Sequence, residues 1–493
     1  MSCFDLVVFL VITLSQVLFG ISFYFKNKNK DQFTRAGGKI PAWVAGMSIF
    51  ATYVSSISFL AIPGKAYSSN WNILAFSFSI PFAAWLAVKF FVPLYRQQNS
   101  VSAYAYLEQR FGRWARLYAA SCYLLTQLMR TGAILLLLAL PMHTLFGWSI
   151  SLVILLSGLI ITLYALTGGI KAVLWTDAIQ GLVLIVGAVA CAVIITFSIP
   201  DGLKQIWSIG QAHGKFSLGS FTTDLTSATF WVVLIYGLFI NLQNYGIDQN
   251  YIQRYLTTES TRAAQLSTWW GALLYLPVSW LFCYIGSALF VYYQVNPNHL
   301  PEALRQPGLG DQIFPYFIAH ELPTGLTGLI VAAIFAAGMS TISTSVNSSA
   351  TIIFTDFLPS WAARSSEKTA LRSLRWISFI FGLGGTLVAL CLVGVQNVLD
   401  TWWALASIFS GGMLGLFLLG FLSTRIQNIH AALGVLIGCL VIIWMSLSPI
   451  YFSETGLLTW KSPFHVNLTI VFGTVTILLT GFMSLILIKT NQN

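Results

Sequence analysis

Runs of about 20 apolar residues recur along the whole of this 493-residue chain, and no motif constrains the fold as strongly. A bilayer's hydrocarbon core is about 30 Å thick, and about 20 helical residues cross it. Thirteen stretches qualify: 6 to 25, 42 to 61, 72 to 95, 117 to 141, 149 to 167, 173 to 199, 228 to 246, 266 to 293, 324 to 356, 374 to 394, 402 to 423, 430 to 449 and 465 to 488. Charged residues make up only 8% of the chain, against about 25% in soluble domains, so nothing is left over for a sizeable soluble domain. The expected fold is an all-α polytopic membrane protein, a single transmembrane domain over 1 to 493 with the lipid bilayer as its constant partner. Neither Lys nor Arg precedes the first run, and no small-residue cleavage site follows it, so it reads as a retained span rather than a signal peptide.

The net charge of +10 would suggest nucleic acid in a soluble protein. Here it is read by position, and no nucleic-acid partner is expected. Lys26, Lys28, Lys30, Arg35, Lys39, Arg96, Arg110, Arg113, Arg116, Lys171, Arg254, Arg262, Arg364, Lys368, Arg372, Arg375, Arg425 and Lys489 all fall in one alternating set of loops and the C-terminal tail. The opposite set holds only Lys65, Lys204, Lys215, Arg305 and Lys461. The positive-inside rule then predicts a multi-pass protein of the cell membrane with its N-terminus outside and its C-terminus in the cytoplasm. Two long outer connections, 200 to 227 and 294 to 323, read as gates or lids. The six cysteines show no CxxC spacing and the six histidines form no paired set, so neither a disulfide framework nor a metalloenzyme centre is expected. No catalytic residue is assigned. Oligomeric state is not written in the pattern, and one copy suffices.

Hydroxyls concentrate in two places. "FATYVSSISFLAIPGKAY" (Phe50 to Tyr67) carries Ser55, Ser56 and Ser58, followed by Pro63 and Gly64, which disfavour continued helix. Irregular backbone at membrane depth is tolerated where it lines a cavity or is buried in protein, so a broken helix at a polar site and a small-residue helix contact both fit. From Ser340 to Thr351, eight of twelve residues are Ser or Thr. Thr341, Thr344 and Ser345 fall at i, i+3 and i+4, on one helix face. Such a face suits Na⁺, and a tight Ala/Ser helix interface is the other reading. Arg130 and Asp177 are ionisable residues inside apolar spans, where each should face a partner, an ion or a cavity. Asp177 fits a salt bridge or a cation site equally well, and Arg130 fits a carboxylate of the protein or of a solute. "IDQNYIQRYL" (Ile247 to Leu256) reads as a capped interfacial segment.

Four stretches taken together, "FATYVSSISFLAIPGKAY", "AAIFAAGMSTISTSVNSSAT", "VLWTDAIQG" and "DQNYIQRYL", resemble the sodium/solute symporter family. The similarity runs over nearly the whole chain. It implies a leucine-transporter-type fold of two five-helix inverted repeats, at 42 to 199 and 228 to 423, with a leading helix at 6 to 25 and trailing helices at 430 to 488. The broken helix of the first repeat is then the Phe50 to Tyr67 stretch, and its counterpart begins near Phe230. The resemblance further implies a Na⁺ site formed by the backbone carbonyls of Ala51 and Val54 with the hydroxyls of Thr341, Thr344 and Ser345. A second Na⁺, found in some members, would use Asp177 with Thr344 and Ser345, although Tyr53 stands where those members carry a smaller hydroxyl residue. In sialic acid transporters of the family, hydroxyls of the broken helix and an arginine hold the solute's carboxylate. Ser55, Ser56, Ser58 and Arg130 match those places, and Ser77 replaces a glutamine.

The expectation is a Na⁺-coupled symporter, with one or two coupling ions, importing sialic acid or a related sugar acid by alternating access. A symporter for a neutral sugar, vitamin or monocarboxylate is the alternative. An enzyme is not expected, because no paired carboxylates, His cluster or nucleophile and base set lies within the spans.

Overall fold

The computed structural model describes residues 2–23, 29–98, 100–306, 308–394, 398–451 and 460–487. Lys26, Lys28 and Lys489 of the charge pattern lie outside these. The main helices are α1 (Cys3–Ser22), α2 (Ala42–Tyr53), α3 (Ser56–Ser68), α4 (Trp71–Gln97), α5 (Arg113–Phe146), α6 (Ile150–Phe197), α7 (Phe230–Ile247), α8 (Gln249–Thr257), α9 (Thr261–Val295), α10 (Gly310–His320), α11 (Leu326–Ile352), α12 (Glu367–Cys391), α13 (Val398–Leu422), α14 (Asn428–Tyr451) and α15 (Thr469–Leu487).

Among the described residues, ten helices are long and apolar enough to cross a membrane, or eleven if the bent pair α2 and α3 is one span. Two shorter apolar helices, Ile150–Leu166 and Ala406–Leu422, cover two further expected spans. α6 holds two of the expected spans in one continuous element, turning at Gly169 with φ 56° and ψ −168°. That conformation is open to glycine and strained for other residues.

The outer surfaces of α1, α6, α12, α14 and α15 expose aliphatic side chains such as Leu18, Leu182, Ile380, Leu440 and Leu479, as surfaces facing hydrocarbon do. α11 is the opposite case, buried continuously from Ile330 to Ile352 with α6 on one side and α5 on another. A fully buried helix dense in hydroxyls must find partners inside the protein, and α11 therefore forms the wall of a polar centre.

The helix interruption lies earlier than the Pro-Gly pair suggested. α2 ends at Tyr53, Val54 is extended (φ −83°, ψ 91°), and α3 restarts at Ser56 at an angle of 50° to α2. Pro63 sits inside α3, where the absent N–H forfeits one bond that packed neighbours can tolerate. Gly64 instead serves close packing, since a Cβ there would lie 2.8 Å from the Gly310 carbonyl on α10. The connections 200 to 227 and 294 to 323 carry short helices, α10 and one over Gly202–Ala212, and α10 rests directly on α3.

Most of the segment read as interfacial, Ile247 to Leu256, falls in the helix Gln249–Thr257, in which every residue is buried. Asp248, extended at φ −77° and ψ 125°, separates it from α7, giving the structure a second interrupted helix. Its polar side chains are tolerable there because protein groups meet them: Gln249 bonds the Val101 carbonyl and the Ala103 N–H, and the Gln253 amide donates to the Thr34 carbonyl.

Candidate functional site

The two interruptions face each other. Tyr53, the last residue of α2, stacks on Tyr245 with ring centroids 5.7 Å apart and meets Tyr275 edge-on at 4.5 Å, while its hydroxyl donates to Asn241 of α7. Beside this aromatic seam lies a cavity of about 110 Å³. Ser55, Ser58, Ser77 and Arg130 line it together with Thr126, Gln127, Gln243, Asn244 and Asp248. Pockets of this kind combine apolar walls with a few placed polar groups. Ser56 does not line it: it is fully buried, and its Oγ has no hydrogen-bond partner. Two steps along a helix rotate a side chain by about 200°, which puts Ser56 and Ser58 on opposite faces.

A helix end leaves its last carbonyls without intrahelical donors. The Phe50 carbonyl still accepts from Val54 N–H at 2.9 Å, and the Thr52 carbonyl is reached from two directions. Arg130 Nη2 donates to it at 2.9 Å and Thr341 Oγ1 at 3.4 Å. Thr344 Oγ1 lies 3.3 Å from Thr52 Oγ1, and Ser345 Oγ donates to Gln127 Oε1 at 2.8 Å. Thr341 and Thr344 of α11 therefore meet Thr52 at the end of α2, between Ala51 and Val54 in the chain, while Ser345 turns to Gln127 of α5. Ser77 Oγ is 2.8 Å from Ser279 Oγ across the cavity wall.

Asp177 meets a cation of the protein. Arg254 of α8 is fully buried, and its Nη2 lies 2.8 Å from Asp177 Oδ2, 2.6 Å from Thr52 Oγ1 and 2.6 Å from Thr344 Oγ1. Its Nε donates to Ser48 Oγ, which in turn donates to Asp177 Oδ2 at 2.5 Å. A fully buried guanidinium needs such a cage, because leaving one buried charge unpaired costs several kcal/mol. Asp177 and Thr344, two of the three residues expected at a second ion, thus converge on Arg254. Sequence reasoning placed Arg254 in a loop. The one signal that could have moved it inward was an otherwise unpaired Asp177 in an apolar span.

The centre carries balanced fixed charge. Arg130 and Arg254 lie within coulombic reach of Asp248, which also accepts from Gln127 Nε2 at 3.2 Å. Among the described residues no group of three or more His, Cys, Asp or Glu could hold a metal ion in the manner of a transition-metal site. Oxygens from hydroxyls and a helix end suit a hard monovalent cation instead.

A model of the Sodium:solute symporter family matches residues 33–438. The Sodium/sialic acid symporter NanT of Aliivibrio fischeri is 32% identical over 482 residues, covering 96% of this chain and 91% of that protein. The Sodium/sialic acid symporter SiaT of Proteus mirabilis is 34% identical over 433 residues, 87% of this chain and 86% of that one. Among solved structures, the substrate-bound outward-open state of a Na⁺-coupled sialic acid symporter matches with a TM-score of 0.90 at 31% identity, over 99% of this chain and 98% of that chain. Mhp1, a nucleobase-cation-symport-1 family transporter, matches with a TM-score of 0.57 at 15% identity, a likeness of fold alone.

Proposed function

This chain belongs to the sodium:solute symporter family, and on that premise we propose that it couples Na⁺ entry to import of sialic acid or a closely related sugar acid. It is an all-α, multi-pass membrane protein of leucine-transporter type. We infer that residues 42 to 199 and 228 to 423 are its two inverted repeats, each opening with an interrupted helix, and that α1 with the helices after 430 flank them. The N-terminus lies outside and the C-terminus in the cytoplasm.

The observation that carries the reading is the position of Arg130. It lines the cavity with Ser55, Ser58 and Ser77, and it also bonds the Thr52 carbonyl, beside the carbonyls assigned to Na⁺. A planar guanidinium binds a carboxylate through paired hydrogen bonds. The serines, with Gln243 and Asn244, offer donors and acceptors for the hydroxyl and amide groups of a sugar acid. Na⁺ takes the carbonyl oxygens of Ala51 and Val54 and the hydroxyls of Thr341, Thr344 and Ser345. Binding of the ion fixes the end of α2 and so fixes the Thr52 carbonyl that orients Arg130. Ion and solute thereby stabilise one arrangement of the interrupted helix, which is the differential interaction that coupling requires.

A membrane potential of 100 mV supplies about 2.3 kcal/mol per unit charge moved. A monocarboxylate carried with one Na⁺ moves no net charge, whereas two Na⁺ make the cycle electrogenic. A second ion at Asp177, Thr344 and Ser345 requires the Arg254 pair to loosen, so the current per solute reads that event directly. The test of the function is uptake of labelled sialic acid into proteoliposomes with an imposed inward Na⁺ gradient, compared with neutral hexoses and simple monocarboxylates. Gradient-dependent accumulation of sialic acid above the others is expected. Equal accumulation of a neutral hexose would overturn the acidic assignment.

A further inference from the structure

The outward face of α12 changes character along its length. Lys368, Arg372 and Arg375 occupy its first turns at spacings of four and three residues, which places them on one face. Trp376, 60% exposed, follows them. Ile380, Leu383 and Leu387 continue the exposed stripe. A sequence of cations, then an indole, then aliphatic side chains matches the passage from lipid headgroups through the interface into hydrocarbon.

This face borders a groove. Leu166, at the end of the first half of α6, forms the opposite wall to Lys368, Arg372, Arg375, Trp376 and Phe379. The two helices pack closely beyond it, where a Cβ on Gly382 would lie 2.2 Å from Thr162 Oγ1 and one on Gly158 would lie 2.3 Å from Thr386 Oγ1. Leu159 and Leu163 of α6 are exposed, like Ile380 and Leu383 of α12. The groove therefore continues into a pair of apolar flanks.

The charge of Lys368 is not cancelled by Glu367, the acid next to it in the chain. Both oxygens of Glu367 turn away to Lys30, one 3.4 Å from its Nζ and the other accepting its backbone N–H at 3.0 Å. Among the described residues no ion pair engages Lys368 or Arg372, and both side chains are exposed.

We propose that the groove between α12 and the first half of α6 selects an anionic phospholipid, its phosphate over Lys368, Arg372 and Arg375 and its acyl chains along the apolar flanks. Trp376 marks the depth of the glycerol region. The apolar stripe below the cations distinguishes this from a site for free phosphate, which would gain nothing from it. A lipid held there bridges α12 to the turn at Gly169 and restrains the relative movement of the two helices. This assignment rests only on the chain being membrane-spanning and is independent of the solute it carries.

The test uses the full-length protein in phosphatidylcholine vesicles containing increasing phosphatidylglycerol, with bromine on the acyl chains of one lipid or the other. Trp376 emission is isolated as the difference between the natural protein and Trp376→Phe. Expected is quenching by brominated phosphatidylglycerol at low mole fraction, well in excess of that by brominated phosphatidylcholine. Each of Lys368→Gln and Arg372→Gln should lower that preference roughly fivefold, the equivalent of about 1 kcal/mol per basic residue near the surface. Equal quenching by the two lipids in the natural protein, a result that needs no variant to fold, would overturn the proposal. Reversal of the preference by soluble glycerol phosphate at millimolar concentration would overturn it as well, by showing a free-phosphate site.

Discussion

The interruption between α2 and α3 and the one between α7 and α8 sit against the same cavity, yet they are built on opposite plans. At the first, Val54 and Ser55 break an apolar helix whose own residues carry no fixed charge, and the freed Thr52 carbonyl meets the Thr341 hydroxyl and the Arg130 guanidinium. At the second, Asp248 starts a short helix in which Gln249, Gln253 and Arg254 are buried and held by protein partners. A break lined by neutral oxygens can accept and release a cation. A break already filled with paired charges acts as a fixed support, and moving it carries a large electrostatic cost. Under the proposed function, ion exchange falls to the first interruption and rigidity to the second.

The largest effect that would break this comparison is expected at Arg254. Arg254→Ala strands Asp177 as a buried, unpaired carboxylate and should cost about 3 to 5 kcal/mol of stability, as such truncations do. Thermal unfolding in detergent reads the loss, and Asp177→Asn combined with Arg254→Gln should recover much of it. If Arg254→Ala unfolds at the natural temperature, the second interruption is not a rigid support. The first interruption predicts a different outcome. Ser345→Ala removes one hydroxyl ligand, so it should leave unfolding nearly unchanged and raise the Na⁺ concentration for half-maximal uptake about tenfold, the equivalent of about 1.4 kcal/mol. Unaltered Na⁺ dependence would remove Ser345 from the ion site.

How far the sequence carried these two regions follows from how each satisfies its polar groups. In the first, the seryl cluster proposed for the solute and the i, i+3, i+4 hydroxyls of α11 proposed for Na⁺ stand out against apolar neighbours, so both were legible as polar patches. The break itself was misplaced toward Pro63, because proline marks a lost hydrogen bond and not a required turn, and α3 absorbs that loss among packed neighbours. Ser56 was grouped with Ser55 and Ser58 by adjacency, while helix rotation buries it elsewhere. In the second region, the polarity of "DQNYIQRYL" has the look of a loop, since pattern reading assumes that polar side chains seek water. Here they seek one another: the partners of Gln249 and Arg254 lie at Val101, Ala103 and Asp177, distances along the chain that no local pattern contains. The apolar spans were legible for the converse reason, since bilayer thickness sets their length locally.

A smaller effect sharpens the contrast where the C-terminal end of α3 meets the connection 200 to 227. Lys215 Nζ donates to the Tyr67 and Ser69 carbonyls at 2.5 and 3.1 Å, capping the C-terminal end of α3, and lies 3.9 Å from the Phe290 ring centre. Burial pulls its pKa down to about 8, below the ordinary lysine value near 10.4. The folded protein therefore carries the cost of a buried ammonium fully below pH 8, and that cost fades as pH rises toward the ordinary value. The melting temperature of the natural protein should rise relative to that of Lys215→Met between pH 8 and 10. A constant difference across that window would show that Lys215 is as well solvated folded as unfolded.

The most direct measurement concerns Arg130. Binding of sialic acid and of its uncharged methyl ester is compared in the presence of Na⁺, for the natural protein and for Arg130→Ala. Truncating one partner of a buried charge pair costs about 2 to 5 kcal/mol, so the natural protein should prefer the acid by at least about 30-fold and the variant should bind both alike. Preference for the acid that survives in Arg130→Ala would contradict the account.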